Sequence, residues 1–154
     1  MTSTEPSGIV LTEEIRRHVN AALAEGHPMI LASVDEAGRP RLSYRGSVQV
    51  FSDDQLGAWA RNAEGSTLTA IAANPHVTLM YRKPAERVLL QFSGRARVAT
   101  DPAESARVYE SAPEFEQKAD PDRKGAGLII DLDRVEGMLG LGEDGKPRWV
   151  RLAR

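Results

Sequence analysis

Between Met29 and Leu152 the chain is cut by turn signals into apolar segments mostly too short to be anything but strands. Asp35-Glu-Ala-Gly38, Asp53-Asp54, Arg82–Glu86 and Asp144-Gly145 read as turns, the first pairing an Asp that can bond its own backbone with a Gly that accepts positive φ. The segments between them are Met29–Val34, a second starting near Arg41, Leu56–Arg61, His76–Tyr81, Arg87–Thr100, Leu128–Leu132 continuing through Val135–Leu141, and Trp149–Leu152. Connections this short force antiparallel pairing. The spacing is not that of a parallel, doubly wound sheet. The expected fold is mainly β with peripheral helices (α+β): six or seven antiparallel strands in a closed or partly closed barrel.

Three helices are expected outside it. Thr12 precedes Glu13 and Glu14, and Ile15, Val19 and Leu23 recur every fourth residue, so residues 12–25 read as a helix stopped at Gly26. Ser66 opens a short helix ended by Asn74-Pro75. Asp101-Pro-Ala-Glu104 starts a third, ending near Ser111. Residues 112–126, with Pro113 and Pro121, read as a loop, and the acids in Glu114–Asp122 as solvated charges. Gly94, inside a long strand, predicts a bulge or bend. Residues 1–11 are expected to form a flexible tail and residues 12–154 a single domain, a size that needs no staple.

Composition narrows the function. Lys plus Arg is 20 and Asp plus Glu is 22, a net charge of −2, which disfavours a non-specific nucleic-acid binder. With no cysteine there are no disulfides, thiolate metal sites or cysteine nucleophiles, which fits a reducing cytoplasm. Apolar runs such as Met29–Ala32 are too short to span a bilayer, and residues 1–8 lack the pattern of a signal peptide. His18, His27 and His76 show no metal spacing and read as solvated or strand-opening residues, so no metal is expected. Gly140-Leu-Gly142-Glu-Asp-Gly145 matches a dinucleotide-binding string, but no helix can follow it, and the turn reading prevails.

One constellation points to a ligand. Along the second strand Leu42, Tyr44, Val48 and Val50 fall on one face, and Arg41, Ser43, Arg45, Ser47 and Gln49 on the other. Trp59-Ala60-Arg61 ends the next strand, and Gly65-Ser66-Thr67 starts a helix. Forked arginine donors and a helix start with free amides suit a phosphate. A solvated strand face beside a routine helix cap is the plainer reading of the same pattern.

The stretch Leu31–Val98 resembles the pyridoxamine 5′-phosphate oxidase-like, FMN-binding split-barrel family. The resemblance rests on the first hairpin, Arg45, the Leu56–Arg61 strand, the Gly65-Ser66-Thr67 helix start, Asn74-Pro75 and the Gly94-containing strand. In that family a strand arginine and a Ser-Arg-Lys-like helix start grip the flavin phosphate. Counting back from Pro75, the family lysine falls on Thr67 and the arginine on Arg45. The Arg-Lys pair is thus replaced by Ser66-Thr67, and Arg61 stands where threonine is usual. Either Arg61 restores the lost charge from the neighbouring strand, or the phosphate site is weakened or shaped for another ligand. Glu136-Gly-Met-Leu139 resembles the family's Glu-Phe-Trp region, but the Arg-x-His that binds pyridoxal phosphate in true oxidases is missing.

The resemblance implies an antiparallel split β-barrel homodimer with flavin at the interface and an oxidoreductase of unassigned substrate. Arg45 and Arg61 would contact the phosphate, and Ser47, Ser66 and Thr67 donate to it. The backbone of Gly46–Val48 would run beside the isoalloxazine and ribityl chain. Trp59 packs on the cofactor or in the core, and Gln91 of the partner subunit contacts the ring. No side chain is assigned as acid or base. Related barrels use a deazaflavin coenzyme, whose acidic tail would call for a basic groove such as Arg82, Lys83 and Arg87, and others bind haem. A non-catalytic flavin or haem binder, or a structural dimer without cofactor, belongs to the same range of outcomes.

Overall fold

In the computed structural model, which describes residues 8–154, helix α1 (Glu13–Ala21) starts where the capping signal places it. The Thr12 hydroxyl accepts from the Ile15 amide at 3.3 Å, satisfying one N–H that a helix start leaves free. The helix ends sooner than its apolar spacing predicts and runs into turns that finish at Gly26, with φ +77°. Residues 1–7 of the expected tail lie outside the described residues. The remainder is not tail-like: Ile9 and Leu11 are each 2% exposed and belong to the core.

Eight strands follow: β1 (Met29–Val34), β2 (Pro40–Arg45), β3 (Gln49–Ser52), β4 (Gln55–Ala60), β5 (His76–Lys83), β6 (Val88–Val98), β7 (Ala126–Leu141) and β8 (Pro147–Ala153). Helix α2 (Ser66–Ala73) links β4 to β5, and α3 (Pro102–Ser111) with α4 (Glu114–Ala119) links β6 to β7. All strand pairs are antiparallel, in the order β2-β1-β5-β6-β7-β4-β3, with β8 also on β7. The sheet does not close by hydrogen bonds. Yet its end strands, β2 and β3, are joined through residues 46–48 alone, a link that spans at most about 15 Å. The sheet must therefore curl until its two edges approach at that corner, which gives a barrel split along one seam.

Two differences from the sequence expectation matter. The segment from Arg41 to Val50 is two strands with separate partners, not one. The expected loop at 112–126 contains α4, which starts after Pro113 without a side-chain cap. The bulge at Gly94 is present: the β6–β7 register shifts between Ser93 and Gly94. The inner sheet face packs Leu31, Leu79, Tyr81, Leu90, Phe92 and Ile130 against α1 and α2. A second cluster, with Trp59, Val108, Tyr109 and Ile129, lies beneath α3.

Candidate functional site

Register fixes which way β2 faces. Arg45 pairs with Met29, Ser43 with Leu31 and Arg41 with Ser33, and those three β1 residues are buried. Directly paired residues share a face, so the two arginines and Ser43 lie on the inner side of the sheet. Leu42 and Tyr44 pair with Ala32 and Ile30 and face out, 75% and 71% exposed. The single alternating face expected from Leu42 to Val50 does not exist. The chain turns at Gly46-Ser47, and Val48, which is buried, leads into a strand paired elsewhere.

The inward arginines meet the start of α2. Arg45 donates to Thr67 Oγ1 at 2.6 Å, and Arg41 donates to Ser66 Oγ. The N-cap is Gly65, so no side chain satisfies the first amides of α2, and Ser66 is the first helical residue and not the cap. The Nε atoms of Arg41 and Arg45 are buried without a hydrogen-bond partner. A buried donor left unpaired is costly, and natural structures rarely leave one without a purpose. Burial pushes the Arg45 guanidinium below its usual pKa, while the nearby Glu116 carboxylate works in the opposite direction. Guanidinium donors, uncapped amides and two hydroxyls that still have a proton to give are the donor types that suit an anion. On its outer side the same helix start opens onto a cleft of about 510 Å³, where Asp35, Glu36 and Glu64 join Arg41 and Ser66.

Arg61 is brought to this corner through an acid. Its Nε lies 3.3 Å from Glu116 Oε2 on α4. Glu116 is only 7% exposed, and a Cβ built on Gly46 would lie 3.4 Å from its other oxygen. The expectation of solvated acids across Glu114–Asp122 is therefore wrong at two places. Asp120 is also buried and accepts from Trp59 Nε1 at 2.9 Å and from the Gly125 and Lys124 amides. Those three donors, the Gly125 amide first, hold its carboxyl below the usual carboxylate range.

Other expected contacts are otherwise employed. The Ser47 hydroxyl accepts from the Trp59 amide at 2.8 Å and donates to the Trp59 carbonyl at 3.0 Å, so it braces the corner and has no proton free for a phosphate. Trp59 stacks edge-on against Tyr109 at 5.0 Å and is buried, so its role is in the core. The Val48 and Ala60 side chains are buried too. Gln91 pairs with Met80 and Glu136 on the outer face, across the sheet from the arginines, and lines a cleft of about 400 Å³ with Leu89 and Trp149. His18, expected in solvent, is buried with Nδ1 3.2 Å from the Tyr81 hydroxyl. His76 is exposed in an outer cleft of about 600 Å³ with Thr78 and Ser93. In the basic turn suggested for an acidic tail, Lys83 is already paired with Glu25 and Glu86. Gly145, with φ +76°, lies in the turn between β7 and β8, and Gly140, also at φ +76°, lies within β7 where its register with β8 shifts. Among the described residues no helix is long and apolar enough to cross a membrane.

Similar folds are found in solved structures. HupZ of Group A Streptococcus is 23% identical, with a TM-score of 0.61 over 81% of this chain and 91% of its own. General stress protein 26 from Bacillus anthracis is 16% identical, TM-score 0.61, over 90% and 99%. A heme binding protein from Mycobacterium smegmatis is 13% identical, TM-score 0.66, over 94% of this chain and 60% of its own. These likenesses carry the fold alone. No curated protein matches the chain. The sequence pattern of the pyridoxamine 5′-phosphate oxidase family matches residues 15–137, from α1 through the bulged β6–β7 pair. With that match spanning the strand arginines, the start of α2 and the curled sheet, the chain belongs to the pyridoxamine 5′-phosphate oxidase family.

Proposed function

We propose that the chain is an FMN-binding, homodimeric oxidoreductase whose flavin phosphate sits where Arg45 and Arg61 meet the start of α2. One observation carries this reading: the donor set at that corner includes the Nε atoms of Arg41 and Arg45, both buried with no acceptor. A phosphate supplies the acceptors they lack, and the uncapped amides of α2 with the Ser66 and Thr67 hydroxyls add neutral donors. Bound flavin supplies the redox chemistry, while the protein binds, orients and shields it. Arg45 anchors the phosphate end, and the backbone of Gly46–Val48 fixes the direction in which the rest of the ligand leaves the corner. The exposed outer row with Leu42, Tyr44 and Gln91 supports a second protomer completing the pocket, which is where a partner's Gln91 would meet the ring. No side chain is assigned as acid or base.

Titrating FMN against the purified protein, followed by its visible bands, tests the reading. Arg45→Ala should weaken binding by about 10- to 150-fold, the worth of a charge-assisted contact of roughly 1.5–3 kcal/mol. Unchanged affinity would overturn the phosphate assignment. Turnover with a nicotinamide reductant separates an enzyme from a flavin carrier. Parallel titrations with deazaflavin coenzyme and haem decide between the cofactors; binding of either one alone would displace FMN from the proposal.

A further inference from the structure

An anion site that already contains an anion is unusual. Glu116 is nearly sealed from solvent, its carboxylate is ion-paired to Arg61, and it reaches into the same corner as Gly46 and Arg45. It stands on α4, a helix of 6 residues. The chain just after α4 is pinned through Asp120 to the Trp59 indole. Trp59 is in turn the residue whose backbone Ser47 clasps. The charge that Arg61 could offer a ligand is therefore spent inside the protein until Glu116 moves. Arg45 remains the freer of the two, with its Nε unpaired.

We propose that Glu116 is an internal counter-anion that sets which ligands the Arg45–Arg61 corner accepts: a dianionic phosphate monoester displaces its carboxylate, and a monoanion does not. The inference deepens the phosphate reading above and rests on it. An incoming carboxylate replaces like with like, and it competes against a tethered group whose effective concentration is high. It gains nothing from the exchange. A phosphate monoester carries up to two charges and three acceptor oxygens, so it can engage both guanidinium groups and the start of α2 together. Displacing Glu116 pulls on α4, so ligand binding should loosen residues 114–119 while the Asp120–Trp59 anchor holds the segment's end.

Two measurements on the full chain test this, with inorganic phosphate, acetate and FMN as probes at matched ionic strength and pH 8. In the unaltered protein, phosphate and FMN should speed amide hydrogen exchange across residues 114–119, and acetate should not. Glu116→Gln, which keeps the shape and removes the charge, should tighten phosphate binding by roughly tenfold, since removing a close charge competitor shifts affinity on that order. In that variant acetate should become a measurable competitor. Equal or weaker phosphate binding by Glu116→Gln would overturn the inference and make Glu116 a support for Arg61. FMN binding with no change in exchange at 114–119 would also overturn it while leaving the flavin reading intact. Phosphate-driven loosening without any FMN binding would do the reverse. Binding of neither probe would overturn both.

Discussion

His18 shows how one residue ties stability to pH. Its ring is buried against Tyr81, with Nδ1 3.2 Å from the phenol oxygen and the ring centroids 5.4 Å apart. Burial disfavours the imidazolium and lowers its pKa from the ordinary 6.5; Glu86 opposes the shift, and Arg17 and Lys83 add to it. The unfolded chain therefore binds a proton at His18 that the folded chain resists. The resulting stability is fully present above about 6.5 and is lost as pH falls from there toward the folded pKa. Thermal unfolding should show a Tm that declines as pH drops below 6.5, and His18→Gln, which can still hydrogen-bond Tyr81, should flatten that decline. A Tm slope identical in both proteins would assign the acid sensitivity elsewhere.

At the level of elements, the bulge between β6 and β7 is a tight joint in the sheet. A Cβ on Gly94 would lie 2.2 Å from the Asp131 carbonyl oxygen and 2.9 Å from its carbon, and neither is a side chain that can swing away. Gly94→Ala should cost about 1–3 kcal/mol by overpacking, read as a lower denaturant midpoint with an unchanged slope. A midpoint within error of the parent would mean that the two strands part at little cost. Gly94 was legible in the sequence, as were the Thr12 and Asp101 caps and the Asp35–Gly38 turn, because each is decided by neighbours a few residues away. The facing of β2 was not. It depends on β1 lying on one flank and on Gly46-Ser47 diverting the chain to a strand at the opposite end of the sheet order. Glu116 was equally hidden: in the sequence it is one acid in a polar run. Only the fold sets it against Arg61, which is what makes burying a carboxylate tolerable. Thus Arg45, Ser66 and Thr67 were found together from sequence, whereas the bracing of Ser47 on the Trp59 backbone and of the Trp59 indole on Asp120 depends on contacts far apart in the chain.

For the whole molecule the outer face of the sheet is the unfinished surface. One row of paired residues crosses it from Tyr44 through Ile30, Met80 and Gln91 to Glu136 and Arg151. Beside it Leu42 extends the apolar edge, and Leu89, Met138 and Trp149 form another row in which the tryptophan is 75% exposed. A monomer rarely displays so many large apolar side chains on one face, and aromatic residues with a few polar neighbours are what a stable interface buries. If two protomers meet here, a charge placed within the contact must be desolvated on association. Tyr44→Asp should then convert a dimer of the 16.8 kDa chain to monomers in size-exclusion chromatography with light scattering, without lowering the Tm of the separated chain. If the flavin pocket is shared between protomers as proposed, the substitution should also weaken FMN binding although Arg45 is untouched, because the partner's Gln91 would no longer reach it. A monomeric parent protein would remove that shared pocket, and the inner corner at Arg45 would have to hold the cofactor from one chain alone.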